Sequence, residues 1–198
     1  GAGNYTYNSI GPNGGTSGSY SIVFRKNPVL DIHWGMEKSY DFFKNKLNRL
    51  SFDGNGSLIE NYTYIKGHFA PNDPSDYTNN AGAVPPSFFG RRIMIYGLGD
   101  GIKSKPVTKT EILGHEYTHH IVGEISNLIV NENYPETRAV NEAVADMLGI
   151  AIDRYSNPST WNWKIGDSVT ITSPFMRSLE DPGTILLPPN RRGASCYL

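Results

Sequence analysis

Apolar residues recur at helical spacing at Met36, Tyr40, Phe43 and Leu47, which predicts an amphipathic helix from Asp31 to Leu50, closed by the turn signal Ser51-Phe52-Asp53-Gly54. Ahead of it, residues 1–20 are rich in Gly, Ser, Asn and Tyr and read as an extended or loosely held segment. Tyr20-Ser21-Ile22-Val23-Phe24 then alternates like a short strand, ended by Pro28. Two further runs, Leu58 to Ile65 and Arg92 to Tyr96, carry the residues that fill pleated surfaces and predict a sheet in the first half. A long polar, proline-bearing stretch, 66–90, separates them. Thr108-Lys109-Thr110-Glu111 has the pattern of a capping box and predicts a helix running to about Val122. A second helix is predicted from Thr137 to Tyr155, after Pro135. Beyond Pro158 the pattern is mixed: Trp161 and Trp163 precede Ile165-Gly166, a short helix is predicted near Phe175 to Leu179, and an unpatterned basic tail follows Pro188-Pro189.

Composition narrows the classes. The 198 residues are enough for a substantial core in one or two domains. Lys and Arg number 18 against 19 Asp and Glu, so bulk charge points to neither a nucleic-acid nor an anionic-membrane partner. No apolar run is long enough to span a bilayer, and the first residues show no basic and apolar leader pattern. Cys196 is the only cysteine, so a metal held by this chain would need nitrogen and oxygen ligands. The 12 tyrosines, 21 glycines and 13 prolines describe a loop-rich globular protein.

Chemistry is concentrated in His115-Glu116-Tyr117-Thr118-His119, an H-E-x-x-H run. Four residues of helix rise about 6 Å, so both imidazoles share one face and reach one zinc, with Glu116 as candidate base. Alone the motif arises by chance in roughly one chain of this length in a few hundred. Downstream, Asn141-Glu142-Ala143-Val144-Ala145-Asp146 sits among good helix formers and offers Glu142 as a third ligand, to complete a His, His, Glu set. The plain alternative for Glu142 and Asp146 is a solvated helix face.

These motifs, with Tyr96-Gly97-Leu98-Gly99-Asp100-Gly101 before them, resemble the thermolysin-like zinc metalloendopeptidases. Tyr40 to Gly54, Tyr77-Thr78-Asn79-Asn80-Ala81 and Met176-Arg177-Ser178-Leu179-Glu180-Asp181-Pro182 look like family segments in the family's order, over roughly residues 28–182. The resemblance implies an α+β fold: an amino-terminal lobe with a mixed sheet and the active-site helix, residues 1–132, and the beginning of a helical second lobe, residues 133–198. It implies zinc on His115, His119 and Glu142, Glu116 as base for the attacking water, and Asp146 as the acceptor for the far N–H of His115. It further implies that Asn80 and Ala81 hold substrate backbone and that Arg177 binds a substrate carbonyl. Ile112, Ile165, Val169 and Met176 would line an apolar pocket for the residue after the cut. Glu111, Asp153, Asn162 and Asp167 resemble a calcium cluster. Lys164 stands where another acid is usual, so its ammonium would replace a cation's charge, and at most one calcium is expected.

Two departures bear on activity. The family continues as a longer helical lobe that carries a transition-state-stabilising histidine, whereas this chain stops at Leu198, and Val130 stands at the position of the family's active-site tyrosine. His33, His68 and His120 are expected to be structural or surface residues, not substitutes. The leading expectation is a secreted zinc endopeptidase that cleaves on the amino side of bulky apolar residues, acts on protein or peptide substrates, and has neither nucleic-acid nor membrane partners. The alternative is a zinc-binding chain of weak or no hydrolytic activity that needs a missing carboxyl-terminal lobe.

Overall fold

The computed structural model describes residues 4–11, 14–21, 27–58, 60–64, 76–126, 128 and 135–181. The expectations that fall on Ile22 to Phe24, Ile65, His68, Val130 and the tail from Pro182 lie outside them.

The opening segment is a hairpin: β1 (Asn4–Gly11) pairs antiparallel with β2 (Gly14–Ser21), in register from Asn4↔Ser21 to Gly11↔Gly14. Of the two alternatives for this segment, extended or loosely held, the pairing is that of the extended one, in keeping with the Tyr and Thr residues along both runs. Helix α1 (Pro28–Leu47) begins three residues before the apolar pattern suggests. The Asn27 side chain accepts from Val29 N–H at 3.1 Å, and Pro28, which has no N–H to satisfy, fills the first turn. The helix ends at Asn48, left-handed with φ 51°, a conformation that asparagine tolerates better than most residues. It buries Ile32, Met36 and Phe43 against the core.

Strand β3 (Glu60–Tyr64) falls within the predicted run. The stretch 66–90 is not polar loop throughout, since it contains β4 (Ala81–Val84) and the single-turn α2 (Pro86–Phe89). Small residues in Ala81-Gly82-Ala83-Val84 give little strand signal. The next strand, β5 (Ile93–Gly97), is buried at every position and occupies the centre of a sheet ordered β3-β5-β4, parallel to β3 and antiparallel to β4. The sheet is therefore mixed, in an α+β arrangement, and among the described residues β4 is an edge strand.

Helix α3 (Thr110–Ser126) carries the H-E-x-x-H run. From Thr110 to Thr118 every residue is buried, so this part of the helix is enclosed on all sides and shows no amphipathic stripe. It starts later than the capping box suggests. Ile112 and Leu113 N–H both bond Lys109 C=O, and the Glu111 carboxylate accepts from Gly166 N–H at 3.1 Å. Helix α4 (Pro135–Ser156) lies against α3. Leu113, Tyr117 and Ile152, all with essentially no exposed surface, join α1, β5 and both long helices in one core. Full burial of each such side chain stabilises the fold by about 1.5–3 kcal/mol.

The close approach of α3 and α4 depends on two glycines. A Cβ on Gly149 would lie 2.4 Å from Glu111 O, and one on Gly114 would lie 2.7 Å from Ile152 Cδ1 and 3.3 Å from Gly149 Cα. A side chain at Gly149 would push the helices apart, and one at Gly114 would displace the Ile152 side chain. Past α4, β6 (Lys164–Ile165) pairs antiparallel with β7 (Arg177–Ser178). This replaces the short helix expected near Phe175 to Leu179. Phe175 and Leu179 stand four apart as on a helix, but Met176 N–H bonds Ile165 C=O and Leu179 N–H bonds Trp163 C=O, which draws the segment out as a strand.

Candidate metal centre

Across the α3–α4 crossing the polar residues pair in antiparallel order. On α3, Glu111, His115 and His119 are spaced four apart, and on α4, Glu142, Asp146 and Asp153 share the facing side. At one end His119 meets Asn141 and Glu142, in the middle His115 meets Asp146, and at the other end Glu111 lies near Asp153.

His115, His119 and Glu142 converge. His115 Nε2 lies 2.9 Å from His119 Nε2 and 3.3 Å from Glu142 Oε2, which is 3.8 Å from His119 Nε2. Ligands on a tetrahedral ion with bonds of about 2.0–2.1 Å stand about 3.3–3.4 Å apart, so the three separations bracket the triangle that a zinc ion requires. Two imidazole nitrogens this close also need a cation, whether proton or metal, between their lone pairs. The donor set therefore fits zinc.

The far side of each ring is held. His115 Nδ1 lies 2.6 Å from Asp146 Oδ1, and His119 Nδ1 lies 2.5 Å from Asn141 Oδ1, whose Nδ2 donates to Leu128 C=O at 2.8 Å. Each contact directs the Nδ1 proton outward and leaves Nε2 for the shared point. Asp146 is fully buried and also receives Arg177 through two bonds, Nε to Oδ2 at 2.6 Å and Nη2 to Oδ1 at 2.7 Å. Sequence reasoning missed Asn141 as the partner of His119 and Arg177 as the partner of Asp146. The only available signal for Asn141 was its place directly before Glu142, one turn ahead of the aspartate.

Proton affinities follow from these contacts. Burial acts to lower the His115 pKa, but bonds to Asp146 and Glu142 and the Glu116 charge outweigh it, so it is pushed up to about 9. His119 is lowered, by burial and then by its proximity to His115. Burial would raise the carboxyls of Glu142 and Asp146. Contact with His115 outweighs it in both, with His119 adding to the effect on Glu142 and Arg177 to that on Asp146, and Asp146 ends well below the usual carboxylate range. Glu116 is buried beside His115, and its charge adds to burial in raising the Tyr96 phenol well above its ordinary value.

The remaining sequence-derived residues are distributed as follows. Asn80 is exposed and Ala81 buried at the start of β4. Ile112, Ile165 and Val169 belong to the core, with Met176 packed against it. Glu111, Asp153, Asn162 and Asp167 gather at the other end of the crossing: Asn162 Nδ2 donates to Asp167 Oδ2 at 2.9 Å, and burial pushes Glu111 up to about 7 against the opposing pull of Lys109. The ammonium in this cluster is not that of Lys164, which lies over the Phe175 ring. It is that of Lys109, paired with Asp167 and 3.7 Å from Glu111. A lysine two residues before Glu111 reaches the cluster from the helix start, which motif matching at position 164 does not reveal. Buried His120, 3.0 Å from Ile93 C=O, is structural.

Glu142→Ala is expected to lose stoichiometric zinc on desalting, read by elemental analysis, with helical circular dichroism retained. A variant that kept one zinc per chain would remove Glu142 from the ligand set.

A family model described as thermolysin metallopeptidase, catalytic domain, matches residues 6–123, and one described as thermolysin metallopeptidase, alpha-helical domain, matches residues 132–196. Neutral protease NprE of Bacillus pumilus is 33% identical over 163 residues, 82% of this chain and 46% of that protein. Bacillolysin of Bacillus amyloliquefaciens is 33% identical over 155 residues, 78% of this chain and 25% of that protein. Thermolysin of Alicyclobacillus acidocaldarius subsp. acidocaldarius is 30% identical over 159 residues, 78% of this chain and 26% of that protein. The solved precursor of protealysin, a metalloproteinase from Serratia proteamaculans, shares the fold with a TM-score of 0.66 at 20% identity, covering 87% of this chain and 50% of that one. This chain thus spans half or less of the length of each of these proteins. With both family models matched in order, and the His115, His119 and Glu142 triangle built by the two helices they describe, the chain belongs to the thermolysin metallopeptidase family.

Proposed function

We propose that this chain carries the zinc site of a secreted endopeptidase that hydrolyses peptide bonds on the amino side of bulky apolar residues. The observation that carries the reading is the convergence of three ligand atoms beside a buried carboxylate, Glu116, on the same helical turn. His115, His119 and Glu142 would hold zinc, which would supply a Lewis acid and a water acidic enough to act near neutral pH. The chain's own residues do the rest. Asp146 and Asn141 keep both Nε2 lone pairs aimed at the ligand position, and burial removes competing water. Glu116 takes a proton from the attacking water and passes it to the nitrogen of the leaving peptide.

Substrate recognition is assigned to the edge strand and its neighbours. The start of β4, Asn80 and Ala81, offers backbone groups to an extended peptide, as an edge strand does. Ile112, Ile165, Val169 and Met176 accept the apolar side chain after the cut. Arg177 reaches a substrate carbonyl, and with five N–H donors in its guanidinium this is compatible with its pairing to Asp146. The chain divides into parts 1–132 and 133–198. At most one calcium is assigned to Glu111, Asp153, Asn162 and Asp167, where Lys109 already brings positive charge.

Among the described residues no helix is long and apolar enough to cross a membrane. The deciding experiment is cleavage of a quenched peptide bearing Leu or Phe after the scissile bond, by zinc-loaded protein. Hydrolysis that a zinc chelator stops and added zinc restores supports the reading. Full zinc occupancy with no hydrolysis would overturn it in favour of a zinc-binding chain of weak or no hydrolytic activity.

A further inference from the structure

The turn leading into β4, residues 76–80, is held by its own short bonds and by a second loop, residues 97–105. Asp76 accepts from Thr78 N–H at 2.9 Å, and Asn80 N–H bonds Tyr77 C=O at 3.0 Å. From the second loop, Gly97 N–H bonds Asn80 C=O at 2.9 Å and Gly99 N–H bonds Thr78 C=O at 2.8 Å. The two backbones run so close that a Cβ on Gly97 would lie 2.0 Å from Tyr77 O.

Side chains complete the connection. Asn79 Nδ2 donates to Asp100 Oδ2 at 2.8 Å, and Asn79 Oδ1 accepts from Asp100 N–H at 3.1 Å and from the Ser104 hydroxyl at 2.8 Å. Asp100 Oδ1 meanwhile accepts from Ile102 N–H at 2.8 Å and Lys103 N–H at 2.7 Å, which fixes the loop around it. The same loop then bonds a third segment: Lys105 N–H to Val169 C=O and Ile171 N–H to Lys103 C=O, both 2.9 Å, with Ser104 bridged to Thr170.

A continuous run of hydrogen bonds therefore joins the backbone of Asn80 to the backbone of Val169, and its joint is the group Asn79, Asp100 and Ser104. Asp100 is exposed, Asn79 is half-buried and Ser104 is buried, so the joint runs from the surface inward through polar contacts. It links the two segments that a peptide would touch under the proposed function, the edge beside α3 and the segment of the apolar pocket.

We propose that Asn79 and Asp100 are positioning residues: their reciprocal pairing sets the spacing between the edge that binds substrate backbone and the segment that accepts the apolar side chain. They govern which peptides bind, not how fast a bound peptide is cut. This inference rests on the peptidase reading for its substrate.

The test uses zinc-loaded protein, the quenched peptide with Leu after the scissile bond, and its Ala counterpart. Binding is measured separately by fluorescence anisotropy of the labelled Leu peptide in a Glu116→Ala background, where cutting does not interfere. Asn79→Ala is expected to raise KM and the anisotropy Kd about tenfold, with kcat within about twofold and zinc content unchanged. The preference for Leu over Ala should narrow in the same variant. Asp100→Asn keeps an oxygen for the amides of Ile102 and Lys103 but sets its own NH2 against the Asn79 Nδ2 donor, so it is expected to raise the anisotropy Kd about threefold, and an unchanged Kd would overturn the role of the pairing.

Unchanged KM and Kd in Asn79→Ala, or a fall in kcat alone, would overturn the proposal while leaving the peptidase reading intact. If the parent protein binds the peptide without cutting it, the peptidase reading falls and the anisotropy series still decides the role of the joint. A parent that binds no peptide overturns both. Should Asn79→Ala fail to fold, judged by circular dichroism and zinc content, Ser104→Ala removes one donor and leaves the Asp100 turn in place. A Kd raised about threefold there supports the joint, and an unchanged one overturns it.

Discussion

Replacing Glu116 by alanine is expected to lower peptide hydrolysis by about 10²- to 10⁴-fold, the usual contribution of a positioned general base. Zinc should stay at one per chain, because the ligand triangle is made by His115, His119 and Glu142 without Glu116. These two readouts separate base from ligand. Both belong to one helical turn, and a residue adjacent to His115 would disturb the metal if its role were to hold the ring. Single-turnover cleavage and elemental analysis of the same preparation give the answer. A rate within tenfold of the parent would remove Glu116 from the reaction, and lost zinc would assign it to the metal.

Asp146→Ala is the substitution with the largest expected effect on stability. Asp146 is fully buried, in contact with His115 and doubly bonded by Arg177, so its removal leaves a guanidinium without the carboxylate that neutralises it. Loss of one partner from a buried pair costs about 3–5 kcal/mol. Zinc affinity should fall about 10- to 100-fold, as when the partner of a ligating histidine is lost. The difference in stability depends on pH. Burial raises the Asp146 carboxyl, but His115 and Arg177 outweigh it and hold the folded value below the unfolded one. The contribution is therefore complete above the unfolded pKa of about 3.9 and fades as pH falls below that value. Urea unfolding of both proteins with chelator present, at pH 7 and at pH 3, should show a gap that narrows in acid. A gap of the same size at both would separate the stabilisation from the charge on Asp146.

The convergence of His115, His119 and Glu142 was legible in part, because helical spacing puts His115 and His119 on one face and Glu142 and Asp146 on another, while a solvated face remained open for the second pair. What joins those faces was not legible. Asn141 and Arg177 act through contacts 22 and 31 residues distant in sequence, and no periodicity signals them. Strand β4 gave no local signal of its own, because Ala81-Gly82-Ala83-Val84 has little strand propensity and is fixed by pairing with β5. The spacing of Phe175 and Leu179 imitated a helix where backbone bonds to Trp163 and Ile165 make a strand. Lys109, read as part of a helix cap, turned out to be the cation of the acidic cluster. In each case a long-range contact settled a conformation that local pattern left open or misjudged.

The glycine pair at the α3–α4 crossing has a consequence for engineering. Glycine in a helix interior costs about 1 kcal/mol relative to alanine, so by propensity alone Gly114 and Gly149 are obvious places to improve the protein. A thermostability screen scored on the isolated helices would favour alanine at both. Yet the space that a methyl group would need at Gly149 is already occupied by the Glu111 carbonyl, one turn from His115. In the folded chain a methyl group at Gly149 would therefore strain the crossing that carries the ligands, so the change that strengthens the isolated helix weakens the assembled protein and its metal geometry together.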